Sequence, residues 1–390
     1  MTTIEHFDFQ SKDTVCSDEH RHLMSLLTRK SERFQEISKF HSVQNVSKTQ
    51  LDDEDSFMSV VYKITVTFSN DMSVEYCLKV PTCDKMSHLG KNEFYPILCL
   101  IHNKECDFYE KFQKIDNLNL PKTYAIKRLT PEDHNGFILM EFVKGRCVPV
   151  EESLNLQQLL NAADQMALVL NYSINDKENT EDPEYQQYNI AGSDAESFKS
   201  MKKPIMEYVG STEETKNLKN LIKKLGRILE DPDYIDFIVA KAHLQYEVPS
   251  LLCHGDLWSN NLFFDGDAVK AIIDWQSFSA GNPTQDLVRL LILNCSPEIR
   301  RNHDETVYRR CYDTLTKLQG KPLSFTFENF LRSARVHYLY QIYLGLYILT
   351  HKYSKTSKEL QRKVFIDRME QGIIDSLALI ESDEQLRAFM

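Results

Sequence analysis

The run His254-Gly255-Asp256-Leu257-Trp258-Ser259-Asn260-Asn261 sets an aspartate and an asparagine five positions apart. A hairpin signal follows: Leu262-Phe263-Phe264, the turn Asp265-Gly266-Asp267, and the strand-like Ala268 to Ile273. Asp-Gly between apolar runs is a strong turn cue. The returning strand delivers Asp274, so two carboxylates and an amide can converge on one cleft. Magnesium takes oxygen ligands, usually one or two carboxylates together with nucleotide phosphates. Phosphoryl transfer needs such a metal clamp, plus a group that orients or deprotonates the attacking hydroxyl.

An Asp, an Asn five residues on, and a second Asp after a hairpin is the protein-kinase catalytic-loop arrangement. His-Gly-Asp-x-x-x-x-Asn followed by Ile273-Asp274-Trp275 resembles the aminoglycoside phosphotransferase and choline kinase superfamily. The fuller string, with Gln276, Gly281-Asn282-Pro283 and Asp286-Leu287, looks most like the ecdysteroid kinase-like (CHK kinase-like) family over roughly residues 30 to 350. The resemblance implies an α+β, bilobal protein-kinase-like fold, with a small antiparallel-sheet lobe and a larger, mostly helical lobe. It makes Asp256 the catalytic aspartate and puts Asn261 and Asp274 at metal-binding positions. His254 would support the loop, and Asp286 would brace it from a following helix. The chain lacks the arginine of a protein-kinase catalytic loop (Gly255 stands there) and the glycine after Asp274-Trp275, where Gln276 follows. These departures point to small acceptors rather than proteins.

Elements must carry these groups. Ser59 to Phe68 is rich in β-branched and aromatic residues and reads as a strand. Ser69-Asn70-Asp71 reads as a turn and Val74 to Val80 as the returning strand, ended by Pro81. Ile97 to Phe112 has helical spacing, and Pro96 is expected to open that helix. Thr123 to Arg128 and Gly136 to Val143 are further strand candidates. After Lys144-Gly145 the character turns helical. Asn155-x-x-Gln158 resembles a capping box, and Glu213 to Glu230 has apolar residues on one face and lysines on the other. The polar first ~50 residues show helical spacing around Leu23, Leu26, Leu27 and Phe34. The expected division is 1–143, an ATP-binding lobe with an N-terminal helical extension, and 144–390, a catalytic and acceptor-binding lobe.

In the first of these, Lys79 lies late in a strand after a hairpin, which resembles the phosphate-binding lysine of kinases, and Glu105 is its expected helix partner ahead of Glu110. By resemblance Glu141, Phe142 and Val143 form the hinge that would hold adenine. The stretch from Asp52 to Ser59 departs from the family, because it has no glycine, Ser56 takes the glycine place, and four acids precede it. Either ATP is covered differently there, through Ser59, or it is held more weakly.

Composition sets the limits. The chain has 390 residues, 46 basic and 57 acidic side chains, and a net charge of −11. That balance argues against bulk binding to nucleic acid or to an anionic membrane, without excluding a local phosphate pocket. The most apolar stretch, Val336 to Leu349, is too short to span a bilayer and reads as a buried core helix. The N-terminus lacks a signal-peptide pattern. Nine cysteines with no C-x-x-C pair read as free thiols in a reducing cytosol.

The expectation is therefore a cytoplasmic phosphotransferase using ATP and Mg2+ on the hydroxyl of a steroid, choline-like or xenobiotic small molecule. No membrane insertion, nucleic acid or protein partner is implied. The acceptor would meet Tyr208, Tyr246, Tyr338, Tyr340 or Tyr343, although a core role suits each of them better. The alternative is a catalytically weak or inactive kinase-fold binding protein.

Overall fold

The computed structural model describes residues 17–51, 58–83, 91–176, 195–225, 231, 233–234, 237–354 and 356–387. The acidic run Asp52 to Asp55, Ser56, most of the expected loop 175–187, and the end of the helix expected to reach Glu230 lie outside these residues. The described chain divides into two units. The first runs to Lys144 without Ile115–Asn119; the second comprises those five residues and everything from Gly145.

In the first unit, α1 (Ser17–Lys30) and α2 (Glu32–Ser38) precede β1 (Val43–Gln50). The expected hairpin forms from β2 (Ser59–Phe68) and β3 (Ser73–Pro81). Its turn places Asp71 at φ 64° and is tightened by the Met72 amide donating to Asn70 Oδ1 at 3.2 Å. After α3 (Lys91–Phe112) come β4 (Thr123–Lys127) and β5 (Phe137–Glu141). The sheet order is β1-β2-β3-β5-β4, antiparallel throughout.

Strand β1 was not expected, because VQNVSKTQ has only two apolar residues. It lies at the sheet edge, where a polar strand avoids edge-to-edge aggregation. Helix α3 also begins earlier than expected, at Lys91, so Pro96 lies inside it rather than opening it. Pro96 falls shortly after the donors that have no intrahelical partner, so the loss is confined to one bond near the helix start.

The strand period then decides which face does what. Ile64, Val66, Phe68, Tyr76, Leu78, Phe137 and Leu139 form a core with Leu23, Leu26, Leu27, Phe34 and Ile37 of the helical extension. Ser31 caps α2 by accepting from the Phe34 amide. Lys79, next to buried Leu78, points to the other face.

The second unit is mostly helical. Asn155 caps α4 (Leu156–Asn175) with the expected box: Gln158 N donates to Asn155 Oδ1 at 2.9 Å, and Asn155 N to Gln158 Oε1 at 3.1 Å. Further along lie α5 (Ala195–Tyr208) and α6 (Lys216–Lys224), the latter burying Leu218, Leu221 and Ile222. Strand β6 (Leu251–Cys253) precedes the hairpin of β7 (Leu262–Asp265) and β8 (Ala268–Ile272). A three-residue strand not expected from the sequence, β9 (Ser279–Gly281), pairs with β6.

The core helices are α7 (Gln285–Asn294), α8 (Pro297–Gln319), α9 (Phe327–Ile348) and α10 (Glu359–Ser382). Every residue of α7 is buried, and α7, α9 and α10 pack on one another. The stretch Val336 to Leu349 is core helix, as expected, running into a π-helical turn at Leu349–Tyr353. The α+β class read from the sequence holds, with a small antiparallel-sheet unit and a larger helical one. Among the described residues, no helix is long and apolar enough to cross a membrane.

Candidate functional site

Between β6 and β7 the chain makes a loop whose backbone a different residue could not copy. Gly255 has φ +82°, and a Cβ there would lie 2.2 Å from the Ser277 carbonyl oxygen. This accounts for glycine where protein kinases carry arginine. Asp274 is also left-handed, at φ 65° and ψ 56°, an uncommon conformation for a residue with a side chain. Such outliers persist only where the surroundings over-determine them.

Those surroundings are visible. Asp286, in the first turn of α7, accepts from His254 N at 2.7 Å and from Gly255 N at 2.9 Å. His254 is fully buried; its Nε2 donates to Ile273 O at 2.9 Å, and its Nδ1 accepts from Asp256 N at 3.2 Å. One neutral tautomer satisfies both bonds, and burial lowers the imidazole pKa, which favours that neutral form. His254 therefore acts as a strut, locking the loop to the end of the hairpin. The Trp275 ring, 0% exposed and 4.4 Å from the imidazole, completes the support.

The three chemical groups are then brought together. Asn261 Nδ2 donates to Asp256 O at 2.9 Å and reaches Asp256 Oδ2 at 3.4 Å. Ile273 N donates to Asn261 O at 3.0 Å, which sets the following residue, Asp274, beside the loop. Asp274 is close enough to Asp256 for like-charge repulsion. Burial pushes the Asp256 carboxyl above the usual range; Arg289 opposes the shift and Asp274 adds to it.

The donor set suits a hard cation. Asn261 commits its amide nitrogen to Asp256, which orients its amide oxygen as an acceptor, and Asp274 supplies a carboxylate. No group of three or more His, Cys, Asp or Glu side chains able to hold a metal occurs among the described residues. Magnesium does not need one, since phosphates and water complete its octahedron.

Arg289 was not anticipated. It pairs with Asp256 Oδ1 through Nη2, and its Nη1 donates to Gln341 Oε1 at 3.2 Å. Gln341 Nε2 in turn contacts His337 Nε2 at 3.1 Å. A signal was present: Arg289 follows Asp286 by three residues, and in a helix both then share a face. That face of α7 holds the loop backbone through Asp286 and the Asp256 side chain through Arg289. Lys352 was also missed. Its ammonium lies 4.1 Å from the centre of the Trp258 ring, and nothing local in the sequence pointed to it.

In the first unit, Lys79 Nζ donates to Glu105 Oε2 at 2.7 Å, with side chains 15% and 2% exposed. Glu110 pairs with Arg128 instead. Ser59 is buried at the start of β2, opposite Pro81. At the end of β5, Glu141 N donates to Lys122 O at 2.8 Å; Phe142 and Val143 are half-buried, with the Lys63 ammonium 5.5 Å from the Phe142 ring. Of the tyrosines, Tyr338, Tyr340 and Tyr343 are buried, Tyr246 donates to Asp383 at 3.0 Å, and Tyr208 is half-buried.

Comparison with known proteins adds the following. The DUF1679 family, described as uncharacterized oxidoreductase dhs-27, matches residues 26–383. The chain is 27% identical over 323 residues to the uncharacterized oxidoreductase dhs-27 of Caenorhabditis elegans, across 76% of this chain but only 38% of that protein's length. It is 23% identical over 348 residues to the uncharacterized kinase-like protein D1044.1 of the same organism, covering 82% of this chain and 88% of that one. Among solved structures, an ethanolamine kinase of Plasmodium vivax is similar with a TM-score of 0.45 and 14% identity, covering 95% of this chain and 90% of that one. The family match extends over nearly the whole described chain, both units included, and the chain belongs to the DUF1679 family.

Proposed function

We propose that this protein is a phosphotransferase of the ecdysteroid kinase-like type, moving the γ-phosphate of ATP to a hydroxyl of a small molecule with Mg2+ as cofactor. The observation that carries this reading is the loop itself. Asn261 is bonded to Asp256, and the Ile273–Asn261 bond carries Asp274 alongside. Asp256 would orient the acceptor hydroxyl and take its proton. Asn261 and Asp274 would hold Mg2+, which when bound supplies charge neutralisation at the phosphates. Lys79, fixed by Glu105, would hold phosphate oxygens, and the backbone around Glu141, Phe142 and Val143 would hold adenine, with Ser59 near the phosphate cover. Residues 1–143 would then serve the nucleotide and 144–390 the catalytic groups and acceptor. A cytoplasmic setting fits the free thiols.

A nicotinamide-type oxidoreductase reading has no support in the chain itself. Its glycines form no G-x-G-x-x-G, and every strand pairing among the described residues is antiparallel. The dhs-27 name belongs to a protein of which this chain spans 38%.

A second reading, a nucleotide-binding protein with little turnover, is favoured by the glycine-free stretch from Asp52 to Ser59 and by the ion pair that occupies Asp256. Incubating the protein with Mg-ATP and a metabolite extract separates the two. The enzyme yields a product heavier by one phosphate in mass spectrometry. ATP left unconsumed, with a thermal shift from Mg-ATP, selects the binding protein; neither signal sinks both.

A further inference from the structure

The core helix α9 carries two polar side chains in its middle. His337 is 0% exposed and Gln341 is 2% exposed, and their i, i+4 spacing puts both on one face. A buried polar group is costly unless it is hydrogen-bonded, so each needs a partner. Gln341 Nε2 donates to His337 Nε2 at 3.1 Å. The imidazole that accepts there is neutral, with its proton on Nδ1, and burial keeps it neutral by pushing its pKa down to about 3. With its nitrogen committed to His337, the Gln341 amide turns its oxygen the other way, where it accepts from Arg289 Nη1 at 3.2 Å. Arg289 Nη2 in turn pairs with Asp256 Oδ1. A chain of four side chains therefore runs from the core of α9 to the Asp256 carboxylate, and each bond fixes the polarity of the next. The Arg289 side chain is 8% exposed and that of Asp256 25%, so solvent reaches the pair from its carboxylate end.

We infer that Arg289 is a positioning residue for phosphoryl transfer: held by Gln341 and His337, it aims the Asp256 carboxylate at the acceptor hydroxyl. This deepens the phosphotransferase reading and rests on it. In that step the bond from the acceptor oxygen to the γ-phosphorus forms. The bond from that phosphorus to the β–γ bridging oxygen breaks, and ADP leaves with its electron pair. The hydroxyl proton goes to Asp256. Such a transfer depends on the carboxylate being held close to its productive geometry before the acceptor arrives. An ionised carboxylate has about four acceptor sites. Arg289 uses one at Oδ1, and the Asn261 amide nitrogen lies 3.4 Å from Oδ2. Acceptor capacity for a hydroxyl remains, so the ion pair steadies Asp256 without blocking it. Arginine suits this place because its planar fork reaches Asp256 and Gln341 at once, whereas a lysine is a point charge on a flexible stem.

The test is steady-state consumption of Mg-ATP by the full chain, with water as acceptor and with a metabolite extract as the source of acceptors. Arg289→Met is expected to lower kcat by roughly 10²-fold while KM for ATP stays within about twofold. Arg289→Lys, which keeps the charge but not the fork, recovers part of that loss. Placed in Asp256→Asn, the Arg289→Met change brings no further fall in kcat, because a positioning residue has nothing left to position. If Arg289→Met does not fold, Gln341→Leu takes its place: it leaves the ion pair but frees the guanidinium, and kcat falls by about tenfold, again with no further fall in Asp256→Asn. An unchanged kcat overturns the inference, as does a loss that multiplies fully with that of Asp256→Asn. A kcat that rises overturns it too, and makes the pair an obstruction. An unaltered protein that consumes no ATP from either acceptor source overturns the phosphotransferase reading and this inference with it.

Discussion

The two charged sites are built in opposite ways. In the first unit, Lys79 and Glu105 sit on a regular strand and a regular helix, and one ion pair of 2.7 Å holds them. In the second, Asp256, Asn261 and Asp274 sit on irregular backbone, with left-handed residues at Gly255 and Asp274. That backbone is held by His254, Asp286, Arg289 and a buried tryptophan. Regular elements position side chains by their own hydrogen bonds. A strained loop needs supports from elsewhere, and each support is a residue that cannot change freely. The contrast predicts catalytic sensitivity in both units but structural fragility mainly in the second.

The largest effect is expected from Asp256→Asn. Turnover should fall by about 10³-fold, since general-base groups contribute that order of rate. The Mg-ATP thermal shift should survive, and unchanged turnover would end the assignment of this loop as catalytic.

Gly255→Ala comes next and tests fragility directly. The added carbon meets the Ser277 carbonyl, so equilibrium denaturation should show a loss of about 2–4 kcal/mol. A loss below the scatter of surface variants would mean the loop relaxes freely. Asp286→Asn should cost about 2 kcal/mol by the same measurement, because an amide cannot accept from both His254 and Gly255 as well as a carboxylate does.

Lys79→Met is expected to weaken the Mg-ATP shift and to slow turnover by roughly 10²-fold, with a double-mutant cycle against Glu105→Gln showing strong coupling. Additive effects would separate the pair and break the comparison on the first-unit side. The smallest effect belongs to Glu110→Gln. The Glu110 side chain is half exposed and Arg128 also pairs with Asp107, so stability should move by less than about 0.5 kcal/mol and turnover not at all. A large effect there would make Glu110, not Glu105, the functional acid of α3.

Legibility followed the range of each signal and not the unit it lies in. Strands β2 and β3, the helix cap at Asn155 and the Asp265-Gly266-Asp267 hairpin were readable because their signals are local: branched residues, a capping box and a turn pair. Lys79 and Glu105 were readable as a pair because alternation fixes which side of a strand a lysine takes. Strand β1 was not, since an edge strand can be polar, and β9 was not, since three residues carry no period. Pro96 misplaced the start of α3 because proline is also tolerated just inside a helix. Arg289 was within reach through its spacing from Asp286, whereas Lys352 was not within reach by any spacing.

The sequence by itself determined the local conformations and the list of reactive groups, because turn chemistry, side-chain alternation and motif spacing act over a few residues. It also showed a glycine at position 255 where protein kinases carry arginine, although not why. Only the tertiary structure decided which groups meet. The pairing of Arg289 with Asp256, the two amides held by Asp286 and the seat of Lys352 on Trp258 each join residues about 30 to 90 positions apart. Such contacts are fixed by how buried helices pack against a loop, and packing depends on the shapes of many side chains at once rather than on any local pattern.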